Sequence, residues 1–296
     1  MSMRDWFWVV FLGFGWGASF FFNEILLREV GPVTVSALRV GTGALACWVF
    51  LFATGRRPGL PMATLGQIAV LGVSMFALPF LIYPIGQTYI TSGAAGIINA
   101  MTPIMVVIMS HFWPGGEKAT VLKSLGVVCG FCGIVILAAP ALGEGSRLFG
   151  ILFTVLAPVC YAFALNWVRR LAGIDQRVML TWGLTFATVF AAPIAIVAEG
   201  LPAALSRDAV LATLAIGPVL TAAAFIMFYW LLPRVGATNI STLTFIAPVS
   251  ALLLAAFALG EEMKTSYFIG MAAIFAGLLL IDGRIVRAVR KDARLN

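Results

Sequence analysis

Charge is scarce in this sequence. Lys, Arg, Asp and Glu make up 10% of its 296 residues, and histidine occurs once. A soluble domain is about a quarter charged. The shortage, set beside 61% hydrophobic residues, excludes a chain that hides its apolar surface from water in its own core, so lipid must be the solvent for most of it. An intramembrane enzyme is also disfavoured. Such chemistry needs a cluster of His, Asp, Glu or a nucleophile near one face, and the apolar segments hold almost no acids. Cysteine is sparse too. Cys129 and Cys132 spell C-x-x-C inside the apolar run "GVVCGFCGIV", where a free thiol behaves as a small apolar side chain and the four ligands of a zinc site are not assembled. No metal or cofactor is expected.

What is present is a succession of long apolar runs. A helix crossing a bilayer needs about 20 apolar residues. Breaks at charges, Gly and Pro delimit ten such segments, near 6–27, 34–53, 65–85, 91–112, 120–139, 147–169, 178–198, 209–232, 237–259 and 266–284. The boundary between the third and fourth is blurred by "LPFLIYPIGQTYITSG". The first segment is too long for a signal peptide, and no small-residue cleavage site follows it. The expected fold class is therefore an all-α membrane protein of ten transmembrane helices.

The net charge of +7 does not point to nucleic acid, because the cations are unevenly placed. With the N terminus inside, cytoplasmic segments hold fourteen Lys and Arg, external loops hold Arg28, Arg147, Arg207 and Lys264, and Arg39 lies in the second helix. Positively charged loops favour the cytoplasm, which predicts both termini inside. The basic tail "GRIVRAVRKDAR" reads as a topology anchor beside the lipid surface.

The chain also repeats itself. "NAMTPIMVVIMSHFWPGGEK" from Asn99 returns as "TFIAPVSALLLAAFALGEEMK" from Thr244. Pro103 matches Pro248, Gly116-Glu117 matches Gly260-Glu261, and Gly126 and Gly133 match Gly270 and Gly277. Each unit holds five helices, residues 1–143 and 144–296, the second carrying the short basic tail. Five is odd, so the second unit enters the membrane from the opposite side. Inverted-topology repeats of this kind build alternating-access transporters, with the site near the midplane between the halves.

Several residues acquire expectations from the repeat. Pro103 and Pro248 each remove a backbone donor, which gives a packing kink or a cavity-lining bend at equivalent places. Glu117 and Glu261 are expected to cap the fifth and tenth helices or to pair with nearby Lys. The glycines at seven-residue spacing give the fifth and tenth helices a small-residue stripe along which they can approach closely, within or between chains. The expected state is a monomer or a weak homodimer in the bilayer.

At this point the sequence resembles the drug/metabolite transporter superfamily, in particular its ten-helix EamA-type exporters. The resemblance is carried by "TPIMVVIMSHFWPGGE" and "APVSALLLAAFALGEE", each with its following Gly-x6-Gly helix, and by "LGFGWGASFFFNE" and "SALRVGTGALA". Within that group it looks most like the bacterial exporters of amino acids, aromatic ones included. The resemblance implies efflux across the cytoplasmic (inner) membrane. It departs in one respect: nothing in "RVMLTWGLTFATVF" duplicates Arg39.

An amino-acid path needs partners for an ammonium, a carboxylate and a side chain. Trp16, Ser19, Asn99, Thr102, Pro158, Tyr161, Thr221, Phe225 and Thr244 fall near the midplane and are the candidate substrate contacts. Trp16 and Tyr161 are too deep for an interfacial belt, which leaves cavity wall or core. Tyr83, Trp167, Tyr229 and Trp230 lie nearer helix ends. Glu24 and Arg39 fall toward the external ends of their helices, as candidate ion-coupling or gating groups. They pair with each other, or Glu24 pairs with Arg28 one turn on. A carrier of nucleotide sugars or sugar phosphates is the alternative function; it needs several cavity-facing cations, and Arg39 alone is a poor supply.

Overall fold

The computed structural model describes residues 2–202 and 204–282. The basic tail and the end of the tenth segment lie outside the described residues. Among the described residues there are no strands, and ten apolar helices organise the chain. They are α1 (Met3–Leu27), α2 (Pro32–Ala53), α3 (Met62–Gln87), α4 (Ser92–Phe112), α5 (Val121–Ala141), α6 (Gly145–Leu171), α7 (Gln176–Glu199), α8 (Arg207–Gly236), α9 (Leu243–Leu259) and α10 (Thr265–Asp282). All but α9 are long and apolar enough to span a bilayer, and α9 has 17 residues. The blurred boundary resolves at Thr91, whose hydroxyl accepts from the Ala94 N–H at 3.2 Å and so caps α4. The ninth segment begins later than its hydropathy suggests. Gly236 takes φ 77°, ψ 158°, which glycine reaches without a Cβ penalty, and a turn at Ser241–Thr242 precedes α9.

Successive helices run in opposite directions, so α1–α5 and α6–α10 enter from opposite sides. The face bearing the start of α1 is called the first face, the other the second. Packing respects the repeat: α1 lies on α9 as α6 lies on α4, and α2 lies on α8 as α7 lies on α3. The pairs α2–α7 and α5–α10 join equivalent helices directly.

The glycine stripes explain the last pair. A Cβ on Gly126 would lie 2.6 Å from the Gly277 carbonyl oxygen, and one on Gly133 would lie 2.6 Å from that of Gly270. The two backbones therefore touch along two turns, as small residues permit in membranes. The stripe is used within the chain, so it is not free to join two chains.

The prolines diverge from the expectation of equivalent bends. α4 is broken into Ser92–Asn99 and Thr102–Phe112, and Pro103 lies in the first turn of the second piece, where its missing N–H needs no partner. Pro248 lies inside α9, which runs through it unbroken; the interruption in that half comes earlier, at Gly236 and Ser241–Thr242.

Candidate functional site

Two helices carry a π-helical turn: α3 over Val73–Ala77 and α8 over Ala215–Ala223. Each contains or precedes a proline, Pro218 and Pro79, which cannot donate to the ordinary helical ladder. π-helical stretches inside α-helices are rare and frequent at functional sites. In α8 the Thr221 hydroxyl donates to the Ile216 carbonyl five residues back, at 2.7 Å. Its oxygen in turn accepts from Arg39 Nε at 3.0 Å. In α3 the turn is followed by Phe80, whose ring lies 3.6 Å beneath the Arg39 guanidinium carbon. Ser19 of α1 accepts from Arg39 Nη2 at 3.3 Å.

Arg39 is thus 6% exposed and joins α1 and α2 of the first half to α8 of the second. Along α2 it lies two turns from the second-face end, toward the end expected. The expected pairing is corrected: among the described residues Glu24 has no ion pair with Arg39 or Arg28. Hydropathy along one helix cannot see a guanidinium folded onto an aromatic face from another.

Tyr83 and Tyr161 lie within electrostatic range of Arg39, with their rings 6.4 Å apart. Tyr83 lies near the end of α3, as expected, four residues before Gln87; it is nonetheless 2% exposed and donates to Asn99 Oδ1 at 2.7 Å. Asn99 is the last residue before the break in α4, and the Thr102 hydroxyl donates to its carbonyl at 2.8 Å, satisfying a group the break had freed. Trp16 and Phe225 pack at 5.4 Å between ring centroids. Phe225 also meets Phe76 at 5.2 Å and Tyr229 at 6.3 Å. Thr244 is not brought to this group. It lies in the first turn of α9 and donates to the Ser241 carbonyl at 2.7 Å.

A cavity of about 930 Å³ opens on the first face between the halves. Its walls include Trp8, Phe50, Ala223, Met227 and Tyr229. Ring contacts lead from its wall to Arg39: Tyr229 meets Phe225, Phe225 meets Phe76, and Phe76 meets Phe80, at 6.0 Å, under the guanidinium. Its charged lining is Arg4, Arg56, Arg177 and Asp175, with Arg56 and Asp175 paired at 2.9 Å.

The second face is closed differently. Glu199, ending α7, accepts from the Val33 and Thr34 N–H groups at the start of α2, at 3.0 and 2.8 Å. Glu261 accepts from the Ser92 and Gly93 N–H groups at the start of α4, at 2.9 and 3.2 Å. Glu29 accepts from the Ser206 N–H at 3.0 Å and from its hydroxyl, ahead of α8. Carboxylates favour helix N-termini because the unpaired N–H groups and the helix dipole both attract them. Hydrogen bonds from the Ser206 hydroxyl and N–H hold the Glu29 carboxyl below its ordinary range. All three contacts tie one half to the other. Glu261 therefore caps the fourth helix, not the tenth, whereas Glu117 pairs with Lys123 within its own half.

Beneath these clasps Asn23 donates to Gln87 at 2.9 Å, and Gln87 donates to Ser92 Oγ and to the Phe20 carbonyl, each at 2.9 Å. Sequence reasoning did not single out these polar residues. Asn23 inside "FFFNE" was the available signal, a polar side chain in an otherwise apolar run.

The sequence model of the EamA-like transporter family matches residues 5–139 and again residues 148–282. The chain is similar to the uncharacterized transporter YoaV of Bacillus subtilis, at 24% identity over 90% of this chain and 92% of that protein. It is similar to YetK of the same organism at 26% identity, covering 94% and 85%. A WAT1-related chloroplastic protein of Arabidopsis thaliana shares 23% identity over 93% of this chain and 69% of its own. One solved crystal structure superposes with a TM-score of 0.65 at 20% identity, covering 92% of this chain and 94% of its own.

Proposed function

The chain belongs to the EamA-like transporter family and is a multi-pass membrane transporter, and on that premise we propose that it exports amino acids by alternating access. The observation that carries this reading is the asymmetry of the two faces. A cavity of about 930 Å³, within the size range of small-molecule sites, opens on one face, while three interhalf carboxylate clasps seal the other. Inverted halves have a second arrangement in which the roles of the faces exchange.

In this reading the first face is cytoplasmic. Fourteen of the Lys and Arg fall on that side in the sequence, and positive loops are retained inside; the membrane is the inner membrane of a bacterium. Substrate enters from the cavity and meets Trp16, Ser19, Tyr161, Thr221 and Phe225, with Asn99 and Thr102 contributing polar groups at the broken α4. Thr244, in the first turn of α9, serves the helix start instead.

The test is counterflow. Proteoliposomes holding only this protein are loaded with one unlabelled amino acid and offered tracer amounts of labelled Phe, Thr, Met or Glu. Transient accumulation above equilibrium, lost in Trp16→Ala, is the expected result. No accumulation of any amino acid, with accumulation of a nucleotide sugar, would overturn the reading.

A further inference from the structure

Arg39 holds a positive charge that the protein itself does not neutralise. A guanidinium has five N–H donors and stays protonated in proteins. Nε and Nη2 meet neutral hydroxyls, and among the described residues Nη1 has no hydrogen-bond partner and no carboxylate lies within 4.0 Å of the group. The Phe80 ring offsets part of the desolvation through a cation–π contact, but it contributes no negative charge. Charged side chains at membrane depth otherwise pair with one another or with backbone carbonyls. Arg39 is left waiting for an anion.

The approach to it has the same sign. The charged residues lining the cavity are three arginines and one aspartate, and that aspartate is already paired with Arg56. A cleft lined by one sign of charge concentrates ligands of the other. The acceptors around Arg39 also come from both halves: the Ser19 and Thr221 hydroxyls hold the guanidinium from opposite repeats. An anion bound there sits where the halves meet and move.

Resting on the reading of the cavity as the substrate path, we infer that Arg39 anchors a carboxylate of the transported solute, and that solutes lacking a carboxylate are not carried. A planar guanidinium matches a carboxylate in two parallel hydrogen bonds. One cation balances one carboxylate, whereas a phosphomonoester carries about −1.5 to −2 and leaves charge uncompensated. The bound anion reaches Arg39 once the Phe225 and Phe76 rings swing aside.

Counterflow with matched triples tests this. Each triple is an amino acid, the same compound without its ammonium, and the same compound without its carboxylate: phenylalanine, 3-phenylpropanoate and phenethylamine, with a second set bearing an isobutyl side chain. The wild type is expected to exchange the carboxylates and to ignore the amines. Arg39→Gln should lower exchange about a hundredfold or more, and Arg39→Lys, which keeps the charge without the planar fork, about tenfold. Amine exchange as fast as that of the amino acid would overturn the anchor while leaving amino-acid export intact. So would undiminished phenylalanine exchange by Arg39→Gln, or exchange of glucose 6-phosphate, which has no carboxylate. Exchange of 3-phenylpropanoate with no amino acid would support the anchor and refute the amino-acid reading. If Arg39→Gln does not fold, the wild-type triples decide alone.

Discussion

Replacing Glu261 with Gln is expected to loosen the second face without disturbing the first. The carboxylate accepts two backbone N–H groups, at 2.9 and 3.2 Å. A carboxamide of the same shape retains one acceptor oxygen and no charge. Hydrogen bonds to charged groups contribute about 1.5–3 kcal/mol and neutral ones about 0.5–1.5. The substitution therefore costs the closed face about 1–2 kcal/mol, a factor of about 5–30 in the ratio of open to closed molecules. Ser36 makes a suitable reporter. It is fully buried one turn inside α2, and its hydroxyl has no hydrogen-bond partner among the described residues, so Ser36→Cys is a mild change. With Cys47, Cys129, Cys132 and Cys160 replaced, a membrane-impermeant maleimide added to the second face should label that cysteine about 5–30 times faster in Glu261→Gln. Glu144→Gln, on the same face but only 3.7 Å from its i,i+3 partner Arg147 and largely exposed, should leave the rate unchanged. Equal rates in the two variants would refute the clasp.

Two further outcomes follow from the geometry. Gly133→Ala should lower thermal stability, by about 1–3 kcal/mol of overpacking against the Gly270 carbonyl, whereas Gly66→Ala, with open space around it, should raise it by about 0.5–1 kcal/mol; melting curves in detergent that move both the same way contradict the close α5–α10 approach. Because the Glu29 carboxyl is held low, its contribution is complete above the ordinary glutamate value of about 4.3 and is lost as pH falls through the lowered one. The melting-temperature gap between wild type and Glu29→Gln should accordingly be widest near neutral pH and close in acid, and a gap independent of pH would speak against the Ser206 contact.

Much of the architecture was legible because it is local. Ten apolar runs, two matched phrases and glycines seven residues apart are visible along the chain, and the glycines led directly to the α5–α10 contact. The site was harder to read. The burial of Arg39 depends on Phe80, Ser19 and Thr221 arriving from three other helices, two of them interrupted by π-helical stretches that only Pro79 and Pro218 hint at. Tyr83 was rightly placed near the end of α3, but its burial depends on a hydrogen bond to Asn99 of the next helix. Glu261 caps a helix 169 residues away, a pairing that no neighbouring sequence announces. The two matched prolines diverged because one opens a helix after a break and the other is carried through an intact one.

The most direct test is to lock the second face shut. Thr34 and Glu199 meet there across the two halves, with the Thr34 N–H donating to the Glu199 carboxylate at 2.8 Å. Cysteines at these two positions, joined by a short cleavable thiol cross-linker, fix α2 to the end of α7. Alternating access predicts that counterflow of labelled amino acid stops on cross-linking and returns when the linker is cleaved. Counterflow that continues at its original rate with the link in place would contradict it.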